Sequence, residues 1–177
     1  MEWTPDGRLL VSEHTAGEVK DITTGGDMAH REPLAHGLRG PASILPLDDG
    51  RILVSELWSD RVTDISDGGD VSGRPPFAEG LIGPYSLTAL DGQIAVVEHI
   101  GKGSGQITDI SAGGGRTNHR VLLSKIPSQP MPGLEGLTPL EAWPDDWTKF
   151  FFACSDWKTK VTMGGETFLV VNSSPLG

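Results

Sequence analysis

The segment that opens at Asp6, DGRLLVSEHTAGEVKDITTGG, returns at Asp49 as DGRILVSELWSDRVTDISDGG and at Asp91 as DGQIAVVEHIGKGSGQITDISAGG, at offsets of 43 and 42 residues. A period of this length means that one supersecondary unit is used repeatedly, each copy burying its apolar face against the next. Between the copies a second motif recurs: Gly37-Leu38-Arg39-Gly40-Pro41-Ala42-Ser43-Ile44, then Gly80-Leu81-Ile82-Gly83-Pro84-Tyr85-Ser86-Leu87. A looser version begins Gly133-Leu134-Glu135-Gly136.

Each copy resolves into four short apolar runs separated by turn residues, the pattern of strands. In the second copy the runs are residues 43–47, 52–56, 61–65 and 76–78. Asp49-Gly50 reads as a hairpin turn and Gly68-Gly69 as another after the third run, because glycine adopts positive φ without steric cost. A helical solenoid of similar period would show 3.6-residue periodicity, and the chain has none. The 24 glycines and 13 prolines are spread evenly, as many short turns require. A divergent fourth copy covers residues 137–143, 150–154, 159–163 and 167–171, with Gly164-Gly165 between the last two. Its Phe150-Phe151-Phe152-Ala153-Cys154 run suits a strand buried on both faces. The expected fold is therefore all-β: a single β-propeller domain of about four four-stranded blades, at residues 1–37, 38–80, 81–124 and 133–177. Only Met1 to Thr4 remain for the innermost strand of the first blade.

The G-P-x-S-[IL] motif followed by D-G-R-[IL]-L-V-x-E resembles blades of the NHL and SMP-30/gluconolactonase-like propellers, a superfamily that includes strictosidine synthase-like proteins and virginiamycin B lyase. The resemblance spans nearly the whole chain, rests on scaffold residues, and implies six or seven blades in one chain. An open ring exposes strand edges and half a core, so either four blades close alone, or two copies complete a ring as a homodimer, or the chain is part of a longer propeller.

Charge narrows the partners. With 24 acidic against 14 basic residues the net charge is -10, which opposes both nucleic acid and anionic membrane. Cys154 is the sole cysteine, which rules out an intrachain disulfide and leans toward the cytoplasm. Residues 1–6 carry no export signal, unless one has been removed, and no apolar window approaches a membrane span.

Turns alternate between the two ends of such a blade, so the Gly-Pro connections share one end with the turn after Glu13-His14. In the resembled families ligands and metals bind at that mouth. Glu13, Glu56 and Glu98 recur there, and glutamate and histidine are competent ligands for a divalent cation. A residue repeated in every copy is also what every copy needs structurally, such as a carboxylate accepting backbone hydrogen bonds. Positions that break the repeat escape this argument: His14 and His99 against Leu57, then Trp58, and Ser155-Asp156-Trp157 in the fourth copy. His14, His99 and Asp156 are the catalytic candidates, and Trp58, Tyr85, Arg39 and Glu135 the ligand-binding ones. Two insertions break the repeat as well: Ile100 to Gly105, which suits a flexible hairpin, and Ile126 to Pro132, an extended crossing or a lid. Cys154 lies in an apolar run where an inert thiol is expected, and Ser12, Ser43 and Ser86 lack a G-x-S-x-G elbow.

Two functions lead. One is a binding or scaffold propeller without catalysis, for a small-molecule or peptide ligand, its ring closed by self-association. The other is a lactonase-like hydrolase or lyase that uses a divalent cation at the channel mouth. A quinoprotein-like sugar dehydrogenase is a third, and no cofactor motif supports it.

Overall fold

A computed structural model describes residues 1–90, 92–100 and 104–127, and beyond these the backbone of four strands. The strands are β1 (Glu2–Trp3), β2 (Leu9–Glu13), β3 (Glu18–Asp21), β4 (Ala35–His36), β5 (Pro41–Pro46), β6 (Ile52–Glu56), β7 (Arg61–Asp64), β8 (Gly69–Asp70) and β9 (Ala78–Glu79). They continue as β10 (Pro84–Leu90), β11 (Gln93–His99), β12 (Ser104–Asp109), β13 (Arg120–Pro127), β14 (Leu134–Pro139), β15 (Phe150–Cys154), β16 (Lys158–Met163) and β17 (Glu166–Val171). A short 3-10 turn at Arg116–Asn118 is the one helical element described. No helix among the described residues is long and apolar enough to cross a membrane.

The fold is all-β, and its sheets follow the sequence repeat. The first sheet has the order β1-β2-β3-β4-β8, the second β5-β6-β7-β9 and the third β10-β11-β12-β13. Two pairs, β14-β15 and β16-β17, carry the fourth copy. All pairings are antiparallel except that of β4 with β8. First strands are neighbours in succession: β1 lies against β5, β5 against β10, and β10 against β14.

Alternation along the central strands divides the core into layers. Leu10, Val19, Ala35 and Leu38 of the first copy pack on Ile44, Ile52, Val54, Ile65 and Val71 of the second. Leu53, Val62, Ala78 and Leu81 face the other way, onto Leu87, Ile94, Val96 and Ile110 of the third. Strand β6 is buried at all five residues because it has a sheet on either side. The Gly-Pro-x-Ser motif produces a bulge between Pro41 and Ile44, and again between Pro84 and Leu87. The backbone released there bonds between sheets: the Ser55 hydroxyl donates to the Tyr85 carbonyl at 2.6 Å, and the Leu87 amide donates to Ser43 Oγ at 3.2 Å.

Two devices were not foreseen. The first is an Asp-Ile-Ser/Thr clasp ending each third strand. Asp21, Asp64 and Asp109 accept from the amides of Thr23, Ser66 and Ser111 at 2.9 to 3.0 Å and also from their hydroxyls. Those hydroxyl oxygens accept in turn from the amides of Leu9, Ile52 and Ile94 at 2.8 to 2.9 Å. The second concerns Gly68-Gly69. Both glycines have positive φ, as their place in the sequence predicts, yet the chain does not turn straight into the fourth strand. It runs back as β8 onto the preceding sheet, where the Gly69 amide donates to the Leu34 carbonyl at 2.8 Å and the Val71 amide to the His36 carbonyl at 2.9 Å. Gly113-Gly114 repeat this contact one sheet on, through the Gly114 amide and the Phe77 carbonyl at 2.7 Å.

The clasp links folding to pH. Hydrogen bonds from the Thr23 hydroxyl and amide hold the Asp21 carboxyl below its ordinary value. For Asp109 burial works in the opposite direction, but the Ser111 hydroxyl and amide, with Arg120, outweigh it and the carboxyl is again lowered. A carboxylate with a depressed folded-state pKa adds stability above its unfolded value of about 3.9 and loses it as pH falls through the folded value. Thermal denaturation followed by circular dichroism is therefore expected to show a melting temperature that drops below about pH 4, with a flatter acid limb in Asp109→Asn.

Candidate functional site

Antiparallel pairing of Pro41 with Glu56, and of Pro84 with Glu98, brings the Gly-Pro connections and the turns after the second strands to one end of the sheets. Glu56 closes β6 and Glu98 is the penultimate residue of β11 there, both with fully buried side chains. A buried carboxylate needs a counter-charge and several donors to offset its desolvation, and both have them. Glu56 Oε2 accepts the Arg39 amide at 2.6 Å and the Ser59 hydroxyl at 3.1 Å. Its Oε1 accepts Arg61 Nε at 2.7 Å and the Thr63 hydroxyl. Glu98 repeats the scheme with the Ile82 amide at 2.6 Å, Arg116 Nη1 and Gln106 Nε2 at 2.7 Å each, and the Thr108 hydroxyl.

The cation reaches each glutamate from a different position. Arg61 opens β7, and its counterpart in the third copy is Gln106, so charge neutralisation passes there to Arg116 of the 3-10 turn. In the first copy the counterpart is Glu18, and Glu13 pairs with Lys20 at 2.9 Å from the position that Thr63 and Thr108 hold in later copies. Glu13 is the exception in burial, its side chain one-third exposed. These three cations escaped sequence reasoning because no single repeat position carries them. Their mutual replacement around one carboxylate is the pattern that reveals them. Among the described residues, no group of three or more His, Cys, Asp or Glu converges as a cation site would require.

The residues that break the repeat assemble beside these ion pairs. His14 Nδ1 lies 3.2 Å from the Pro41 carbonyl, and the imidazole meets the Trp58 indole edge-on, with centroids 4.6 Å apart and planes at 72°. Both rings sit over Gly40, whose φ is +65°. A Cβ there would fall 2.8 Å from Trp58 Cδ2 and 3.1 Å from His14 Cε1. The Leu57 and Trp58 amides donate to the carbonyls of Gly40 and Arg39, which fixes the platform to the connection. Trp58 is 57% exposed, and Arg39, whose carbonyl accepts the Trp58 amide, is exposed as well, with no side-chain partner among the described residues.

His99 is half-buried, and its amide donates to the Gly83 carbonyl at 3.0 Å. The structure thus brings His14, Trp58 and Arg39 together, while His99 holds the repeat position of His14 two sheets on, against Gly83. Tyr85 packs partly into the layer of Ala95, Val97 and Ile107. Glu135 lies in β14, and its side chain, like Asp156, falls outside the described residues.

Among the described residues, two clefts lie at the opposite end of the sheets. One of about 370 Å³ separates the hairpin of Thr4, Asp6 and Arg8 from that of Leu47, Asp48 and Arg51. The other, about 280 Å³, separates Leu47, Asp48 and Arg51 from Ala89 and Ile94. Arg8 and Arg51 are held there by Asp6 and Asp49 of their own turns, at 2.9 and 2.7 Å.

No protein-family model matches the chain, and no curated protein matches it in sequence.

Removing one partner of a buried ion pair leaves the other charge uncompensated, at about 3–5 kcal/mol. Urea denaturation should show a loss of that size for Glu56→Ala and a clearly smaller one for Glu13→Ala, whose side chain is one-third exposed. Gly40→Ala combines a strained positive φ with a clash on Trp58, and about 1–3 kcal/mol of destabilisation with altered indole fluorescence is expected.

Proposed function

We propose that the repeated sheets are blades of a β-propeller and that the chain is a non-catalytic binding module whose recognition surface is the His14–Trp58–Arg39 platform. The blade reading is supported by the succession of first strands β1, β5, β10 and β14 and by the layered core between sheets. The functional reading is carried by one observation: both carboxylate oxygens of Glu56 and Glu98 are already engaged by arginine, hydroxyl and amide donors. A carboxylate committed in this way is a structural anchor, and opening it for a cation would cost it the hydrogen bonds and counter-charge that offset its burial.

Trp58, by contrast, has its indole exposed yet braced from below, the condition under which an aromatic side chain gives contact area at low entropic cost. Arg39, exposed and joined to Trp58 through its backbone carbonyl, adds a cation to the same connection in a chain of net charge -10, so the platform suits a ligand with a flat apolar surface and an acidic group.

Metal titration separates this reading from a lactonase-like one. A resident cation with Kd about 10 μM would raise stability by about 2.7 kcal/mol when present at a hundredfold excess. Melting curves with calcium, zinc or manganese chloride are expected to coincide with the metal-free curve. A rise in melting temperature that disappears in Glu56→Gln would overturn the proposal.

A further inference from the structure

The first sheet has one face that its repeat prepares for burial and that nothing in the described residues covers. In the second sheet, the side turned to the preceding sheet carries Ile44, Ile52, Val54, Ile65 and Val71, all buried. In the third sheet the corresponding Leu87, Ile94, Val96 and Ile110 are likewise buried. One repeat earlier these positions are Met1, Leu9, Val11, Ile22 and Met28. All five are apolar, and none is buried: Met1 is 74% exposed and the others are half-buried.

Two polar contacts are open on the same side. Glu56 and Glu98 each accept a backbone amide from the connection that leaves the preceding sheet, but Glu13 has only Lys20 among the described residues. Gly69 and Gly114 each donate to a carbonyl on the outer edge of the preceding sheet. Gly26 is their counterpart and has no such acceptor among the described residues. The space beside it tells the same story. A Cβ on Gly68 or Gly113 would meet the Leu34 or Phe77 carbonyl at 2.7 or 2.8 Å, whereas a Cβ on Gly25 would meet nothing within 4 Å. The loop is nonetheless preformed. Arg31 donates to the Gly25 carbonyl as Arg74 does to that of Gly68 and Asn118 to that of Gly113.

We infer that this face is a docking surface for a sheet of the same repeat, supplied by a second copy of the chain. The inference rests on the blade reading above and extends the interface already formed twice within the chain. The incoming sheet would present a Leu/Val/Ala layer like that of Leu53, Val62 and Ala78, a backbone amide for Glu13 and an edge carbonyl for Gly26. Among the described strands, first-strand packing runs from β1 to β14, and no comparable packing joins β14–β17 to β1–β4. Two copies joined head to tail at both ends would close a ring of eight sheets, within the range of about 4–8 blades that such rings contain.

Sedimentation equilibrium at about 10 μM should give twice the chain mass of 18.8 kDa for the native chain. The pair V11E/I22E should sediment at the single-chain mass, with W58E, on the other surface, still dimeric. Hydrogen exchange supplies a readout that needs no variant: the Gly26 amide should be protected at about 50 μM and lose protection on dilution to about 0.5 μM, while Gly69 and Gly114 stay protected throughout. A native single-chain mass at about 100 μM would overturn the inference, as would a dimer that persists in a folded V11E/I22E. A monomer whose Gly26 amide is protected at every concentration would overturn it too, because the chain's own fourth unit would then cover the face. None of these results bears on the metal titration, so the blade-dimer inference and the non-catalytic reading fail separately.

Discussion

A buried carboxylate has to be neutralised and fully hydrogen-bonded before it can exist in a protein interior, and Glu56 and Glu98 impose that requirement on everything around them. Each takes an amide from the connection behind it and a cation from its own repeat. The amide ties one sheet to the next at the Gly-Pro connection, as the Gly69 and Gly114 bonds do beside the last strand of the preceding sheet. Between these two stitches lie the apolar layers, whose packing is non-directional and would not by itself set the register of one sheet on another.

That arrangement explains why the connections are so specific in sequence. Arg39 and Ile82 can aim their amides at a glutamate because Gly40 and Gly83 follow them in the left-handed region, with φ of +65° and +53°. The same turn at Gly40 leaves room for Trp58 and His14. Structural anchor and proposed recognition platform are thus two sides of a single loop, one facing inward to Glu56 and the other outward to solvent.

Much of this was legible in the chain before folding. Four strands per copy, the positive-φ glycines and the apolar identity of the layers follow from local chemistry repeated at a fixed period. The assignment of the glutamates was open at that level, between a cation site and a backbone anchor, because a motif gives a residue's position and not its partners. Arg61, Lys20 and Arg116 hold no common repeat position, so only their approach in space identifies them as counter-ions.

The sequence by itself determined that the chain is all-β and built from one recurring four-stranded unit, because period-2 alternation and turn residues act over a few neighbours at a time. Only the tertiary structure decided what each unit does with its edges: β8 reaching back onto the first sheet, the three routes of the cation, and the burial of Glu56 and Glu98 against the partial exposure of Glu13. These depend on which sheet lies next to which. Ala35 and Gly69, or Arg39 and Glu56, are distant in sequence and meet only after folding, and a carboxylate is an anchor or an open ligand according to what has been brought against it.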